Sequence, residues 1–353
     1  MLMLSIDFIK KELIEYDGPV LNLMEVCGSH TAAVSKFGIK SLLSDKIRLI
    51  SGPGCPVCVT PSAYIDRLIE LALQPNFTVV TFGDMMRVPG SQESLNMARS
   101  RGASVKMVYS PMDILTLAKN EPEKEFVFAA VGFETTAPVY ALLLDEIILR
   151  ENKNIRLLTA LKTMPAVIEA LLSDSRDEES AIHGFIAPGH VCAVTGSDIF
   201  KPIADKFQIP FSVSGFSGEE LLRGIHGLVD MCKEHQYGVK NYYKSAVDGA
   251  GNKIAHEKVS KYFEISDCTW RGIGCVKGSG LILKDEYSVY DAGSRELNED
   301  ISYNHACRCG EILMGKAMPK DCPLFGKVCT PNTPKGACMV SLEGCCYHHY
   351  RNR

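Results

Sequence analysis

Between residues 18 and 225 the chain alternates short runs rich in Val, Ile, Leu and Phe with segments of helical periodicity. This alternation limits the fold more than any other feature. Eight runs read as strands: 20–26, 47–51, 78–83, 105–109, 126–133, 155–162, 182–188 and 210–214. Each leads into a turn and a helical pattern, as in βαβ units, which build parallel sheets covered by helices. Eight units can close as one (β/α)8 barrel or split four and four into two open sheets. The charged, proline-bearing segment Lys119–Glu125 separates the two sets as a linker would, and this favours the split.

The expected fold class is therefore α/β, with two similar four-stranded parallel-sheet domains over 1–120 and 121–225 and a third domain over 226–353. In the third, segments 238–265 and 270–291 place Tyr, Val and Ile between glycine turns and read as short antiparallel strands. Beyond Asn304 the chain is dominated by Cys, Gly and Pro. Such a tail cannot build a core from its own apolar residues and needs a staple.

Cysteine supplies one. Seven of the fourteen cysteines lie between Cys307 and Cys346. Fourteen in 353 residues is too few for a disulfide scaffold. The N-terminal apolar residues are interrupted by Asp7, Lys10, Lys11 and Glu12, which reads as an amphipathic helix rather than a secretory signal. No apolar run approaches the roughly 18 residues of a membrane helix. A cytoplasmic location follows as the expectation, and there thiols are metal ligands or redox groups more often than bridges. A net charge of −4 gives no broad basic surface for nucleic acid.

The first run ends in Glu25-Val26-Cys27-Gly28-Ser29-His30-Thr31 and the second in Ser51-Gly52-Pro53-Gly54-Cys55-Pro56-Val57-Cys58. Thr60-Pro61 then reads as an N-cap followed by proline at the first helical position. Both motifs fall at the carboxyl ends of adjacent strands, where open α/β sheets place their sites. Helix N-termini there favour thiolate, and CxxC spacing allows a disulfide or chelation of one metal ion. A lone CxxC also reads as two buried thiols, and a lone His30 as a turn histidine. Two polar motifs meeting in one crevice are hard to explain as packing.

In the tail, Cys307, Cys309, Cys322, Cys329, Cys338, Cys345 and Cys346 suit zinc or an iron–sulfur cluster. Paired CxxC elements of a zinc knuckle are absent, and the wide spacings lean to a cluster, making the third domain an iron–sulfur one. Three further segments follow strand runs. Gly132–Pro138, with Glu134 inside it, reads as an anion cradle or a capped turn. Pro188–Cys192 carries His190 as a crevice candidate. In Gly83–Gly90, Asp84 and Arg87 pair with each other or position the CPVC loop. Cys192, Cys232, Cys268 and Cys275 carry no assigned role.

Taken together, MEVCGSHT, SGPGCPVCVTP, TFGDMMRVPGS, GFETTAP, PGHV, WRGIG and ACRCGEI…DCPLFG…CTP…GACMVSLEG closely resemble the HypD family of hydrogenase maturation factors, in the same order over essentially the whole chain. The resemblance implies two α/β domains plus a cluster-bearing third. It implies a scaffold on which the Fe(CN)2CO unit of [NiFe]-hydrogenase is assembled with a HypC-type chaperone. Cyanide would come from HypE, and the unit would pass to the hydrogenase large-subunit precursor. Cys27 would hold the iron with His30 beside it, and Cys55 and Cys58 would be the redox pair. The family spacing falls on Cys307, Cys322, Cys329 and Cys346 as ligands of a [4Fe-4S] cluster, with Cys345 adjacent as a second candidate for the last place. Cys309 and Cys338 would be a relay dithiol. Ala32, Ser29 and Ser217 depart from the family pattern, but every thiol in it is present. Residues alone leave two rivals: a cluster-dependent thiol–disulfide oxidoreductase and a zinc-stapled binding protein. Whether such a redox-active scaffold counts as an enzyme is partly a matter of definition.

Overall fold

The computed structural model describes residues 4–174, 180–297 and 306–352. All eight expected strands form: β1 (Leu21–Glu25), β2 (Ile47–Ser51), β3 (Phe77–Thr81), β4 (Val105–Met107), β5 (Glu125–Gly132), β6 (Ile155–Lys162), β7 (Gly184–Ala187) and β8 (Pro210–Val213). Three more follow, β9 (Gly238–Asn241), β10 (Phe263–Trp270) and β11 (Gly274–Leu283). The class is α/β with two parallel-dominated sheets and a cysteine-rich C-terminal region.

The strands divide between the sheets differently from their order in the chain. One sheet runs β2-β1-β7-β8-β9 and the other β10-β11-β6-β5-β3-β4. The sheets thus have five and six strands rather than four each, and the chain passes between them after β2, after β6 and after β9. Segment Lys119–Glu125 does not mark a change of sheet. It joins the helix Asp113–Asn120 to β5 within the second sheet, where Glu121 pairs with both Lys106 and Lys124. The physical reason is that apolar periodicity reports burial, whereas sheet membership depends on the distant strand that supplies the hydrogen bonds.

Beyond residue 226 the antiparallel expectation holds for β10 and β11 only. Strand β9 pairs parallel to β8, and β11 runs antiparallel to β6 and extends the second sheet. The N-terminal helix Ile6–Ile14 forms as expected, capped by Ser5, with Ile9 and Leu13 buried. The tail has no core of its own. Its cysteines, with Ile312, Leu313 and Met339, share one apolar cluster with Met24, Val26, Cys55, Cys58, Phe133 and Trp270. Trp270 is fully buried, stacks on Phe133 at 5.9 Å and donates its indole N–H to Ser279 Oγ at 2.8 Å. Among the described residues no helix is long and apolar enough to cross a membrane.

Candidate functional site

The site begins where β1 ends. Cys27 is extended (φ −146°) and serves as N-cap of the helix Gly28–Lys36, its carbonyl accepting the N–H groups of His30 and Thr31. Strand β2 pairs with β1 in register from Leu21–Ile47 to Glu25–Ser51, so the second motif emerges beside the first. The two loops interlock: Gly28 N–H donates to Gly54 O at 2.8 Å, and a Cβ on Gly54 would lie 2.3 Å from the Cys27 nitrogen. The chain there admits only glycine. Gly54→Ala is expected to push the loops apart at a cost of at least about 1–3 kcal/mol. Urea unfolding of the variant checks this, and an unchanged midpoint would contradict it.

Cys27 is buried, and burial pushes its thiol up to about 12. Hydrogen bonds from the His30 and Ser29 backbone work the other way, while nearby Glu343 and Glu25 add to the rise. The expectation that the helix N-terminus would favour thiolate here is thus overridden by desolvation. A bound cation would reverse the balance, because its charge stabilises the thiolate directly.

His30 is fully buried and is more than a turn residue. Its Nε2 lies 3.1 Å from the carbonyls of both Ser214 and Gly215 at the end of β8, and its Nδ1 has no hydrogen-bond partner in the structure. Burial holds its pKa down at about 4, so the ring is neutral at pH 7. It stacks on Phe216 at 4.6 Å, and Phe216 stacks on His190 at 3.9 Å. The two histidines flank one aromatic ring because β7 and β8 belong to the sheet of β1.

Two carboxylates escaped the sequence reading. Glu25 ends β1 and accepts from Thr31 Oγ1 at 2.5 Å and from Cys27 N–H at 3.3 Å, and burial raises it to about 7. The signal was a carboxylate in a strand buried along its whole length. Glu343 comes from the tail, accepts from Ser29 Oγ at 2.9 Å and packs against Gly28. No periodic pattern pointed to it.

The CPVC loop carries a Cys55–Cys58 disulfide, and both residues are buried. The following helix is Ser62–Leu73 with Pro61 as N-cap, so Thr60 does not cap it; its hydroxyl donates to Pro56 O instead. Cys58 Sγ lies 3.9 Å from Ala337 O, next to Cys338. Arg87 does not pair with Asp84; it donates to the carbonyls of Pro331 and Val340 and ties the tail down.

Glu134 is buried beyond β5. Its Oε1 accepts the Met164 N–H at 2.7 Å, its Oε2 has no partner, and burial raises it to about 7. The anion cradle expected here is therefore supplied with a carboxyl of the chain itself. Because the folded state holds this proton more tightly than the unfolded one, with its ordinary value of 4.5, the stabilisation is complete below pH 4.5 and disappears as pH rises through 7. Above pH 7 the buried charge costs up to about 3 kcal/mol. Glu134→Gln is expected to be more stable than the parent at pH 8 by about 1–3 kcal/mol, with the gap closing towards pH 5. Thermal unfolding at both values measures it; a variant less stable at pH 8 would refute the account.

In the tail, Cys307, Cys309, Cys322, Cys329, Cys338 and Cys346 line one tight pocket of about 10 Å³ with Ile312, Phe325, Gly336 and Met339. The Cys309 and Cys338 sulfurs are 2.9 Å apart. Of the two adjacent cysteines Cys346 faces this pocket, while Cys345 turns towards His349 Nδ1 at 3.6 Å. The lining offers sulfur and no carboxylate, the donor chemistry of an iron–sulfur cluster. As the side chains stand, no three His, Cys, Asp or Glu among the described residues are gathered closely enough to hold a metal ion.

A family profile described as the HypD, hydrogenase formation HypA family matches residues 5–353. The chain belongs to the HypD family. The hydrogenase maturation factor HypD of Escherichia coli strain K12 is 42% identical over 336 residues, 94% of this chain and 89% of that protein. Its counterpart in Rhizobium leguminosarum bv. viciae is 43% identical over 337 residues, 93% and 87%. That of Cupriavidus necator is 40% identical over 343 residues, 94% and 90%. As a HypD-family chain it has a role in hydrogenase maturation, among the components of that machinery.

Proposed function

We propose that this chain is the assembly scaffold for the Fe(CN)2CO unit of [NiFe]-hydrogenase. It would work with a HypC-type chaperone, take cyanide from HypE and deliver the iron unit to the large-subunit precursor, in the cytoplasm. The observation that carries this is the interlocked pair of loops, which packs the CPVC loop against Cys27 with all three cysteines buried. Iron as cargo needs soft thiolate anchoring, exclusion of water and reducing equivalents; buried Cys27 supplies the first two, and the CPVC pair supplies electrons once its disulfide has been reduced.

Each residue has a part in this reading. Cys27 gives up its proton and binds the iron. His30, neutral and pinned between two carbonyls, walls the crevice with Phe216 and His190. Cys307, Cys322, Cys329 and Cys346 would hold a [4Fe-4S] cluster, which supplies single electrons when bound. Cys309 and Cys338 exchange with the CPVC pair: two thiols become one disulfide as Cys55–Cys58 becomes two thiols, with two electrons and two protons moving between the pairs. The contact of Cys58 with Ala337 supports this route.

Infrared spectra of the anaerobically purified chain, co-produced with its maturation machinery, test the proposal. Two cyanide bands and one carbonyl band are expected. The Cys55–Cys58 disulfide itself favours a second reading, a thiol–disulfide oxidoreductase. A blank infrared window with steady turnover of a disulfide substrate would select it.

A further inference from the structure

A second groove runs up to the tail cysteines, which are themselves buried. A groove of about 700 Å³ has Cys307 and Cys309 among its lining residues, together with Arg87, Arg271 and Lys335. Cys338, although 2.9 Å from Cys309, does not line it. The groove is of the size that takes a small molecule rather than a folded partner.

Its charge is set by these cations. Arg271 is buried and uses its guanidinium on the carbonyls of Thr60 at 2.6 Å and Pro89 at 2.7 Å. Arg87 is likewise spent on carbonyls. Neither has a carboxylate partner among the described residues, so their charge is left to act on whatever enters. The one acid of the lining, Glu93, is engaged by Arg101. Arg271 also fixes the groove to the relay. Gly272 beside it packs on Gly310, where an added Cβ would come within 2.3 Å of the Gly272 carbonyl, and Arg271 N–H donates to Val59 O beyond the CPVC loop.

We propose that this groove is a binding site for a small anionic thiol, which reduces the Cys309–Cys338 disulfide by attack on the Cys309 sulfur. The proposal rests on the relay reading above. The thiolate forms an S–S bond to Cys309 while the Cys309–Cys338 bond breaks. Cys338 leaves as thiolate and takes up a proton. A second thiol of the same kind then attacks the mixed disulfide, so two thiols become one external disulfide and the chain recovers two thiols. The groove decides which sulfur of the pair is attacked, because Cys309 lines it and Cys338 does not.

Glutathione, with net charge −1, and cationic cysteamine are the probes, used at equal thiolate concentration on the full anaerobically purified chain after mild oxidation. Thiols are trapped by alkylation and mapped by peptide mass. Glutathione is expected to open the disulfide at least about tenfold faster, a preference that high salt and Lys335→Glu reduce. With glutathione disulfide, Cys338→Ser is expected to gain one glutathione on Cys309, and Cys309→Ser none on Cys338. Equal rates for the two probes, or an adduct on Cys307 or Cys338, would overturn the groove while leaving the relay intact. If Cys309 and Cys338 form no disulfide under any oxidant, both readings fall together.

Discussion

Cys27→Ala is expected to lose all the cyanide and carbonyl infrared bands while keeping the iron and sulfide bound by the tail. The thiol is the soft donor at the interlocked loop, and neither Ala nor the hard oxygen of Ser can replace it. The variant should remain folded. Cys27 makes no side-chain capping bond to its helix, so removing the sulfur costs only about 1 kcal/mol of buried surface. Infrared bands, iron content and the unfolding midpoint can be read on one preparation. Bands that persist in Cys27→Ala would remove the anchoring role, and a collapsed midpoint would show that the loop needs the sulfur for packing.

The second large effect is expected at Cys309. Its sulfur has Cys338 at 2.9 Å, so Cys309→Ala removes the proposed relay pair. Iron bound at Cys27 should be retained, while ligand attachment falls to background in the infrared window. Cys338→Ala should behave alike. Cys345→Ala, which alters a thiol outside the pocket, should keep both iron–sulfide content and bands. Loss of iron and ligands together in Cys309→Ala would count against electron transfer through this dithiol.

Much of this site was legible in the residues, and the exceptions share a cause. CGSHT and GPGCPVC were expected to meet because each closes a strand run, and β1 and β2 do pair side by side. The eight runs were visible since a parallel strand buried on both faces reads as a continuous apolar stretch. Their allocation was not, because β1 finds β7 across more than 150 residues and nothing local encodes that partner. His190 was placed in an equivalent position of a second half; in the structure it follows β7 of the sheet that holds β1 and meets His30 through Phe216. Glu343 lay in a segment without periodicity. At Cys27 the sequence suggested a low thiol pKa from the helix end, but the depth of burial is a property of the assembled molecule and it dominates.

The interleaving of the two sheets bears on how such a chain is made. The ribosome releases β1 and β2 first, yet their neighbours β7 to β9 emerge only after the whole parallel part of the other sheet. Strand β1 therefore waits with one edge bare, and an unpaired edge of that kind invites association with other chains. The Cys27 loop cannot close over its histidine until β8 arrives, because the carbonyls that hold His30 belong to Ser214 and Gly215. A nascent chain thus cannot complete the surroundings of His30 before nearly two thirds of it has been synthesised. Neither sheet can be cut out as one continuous stretch of chain, so the two must fold together.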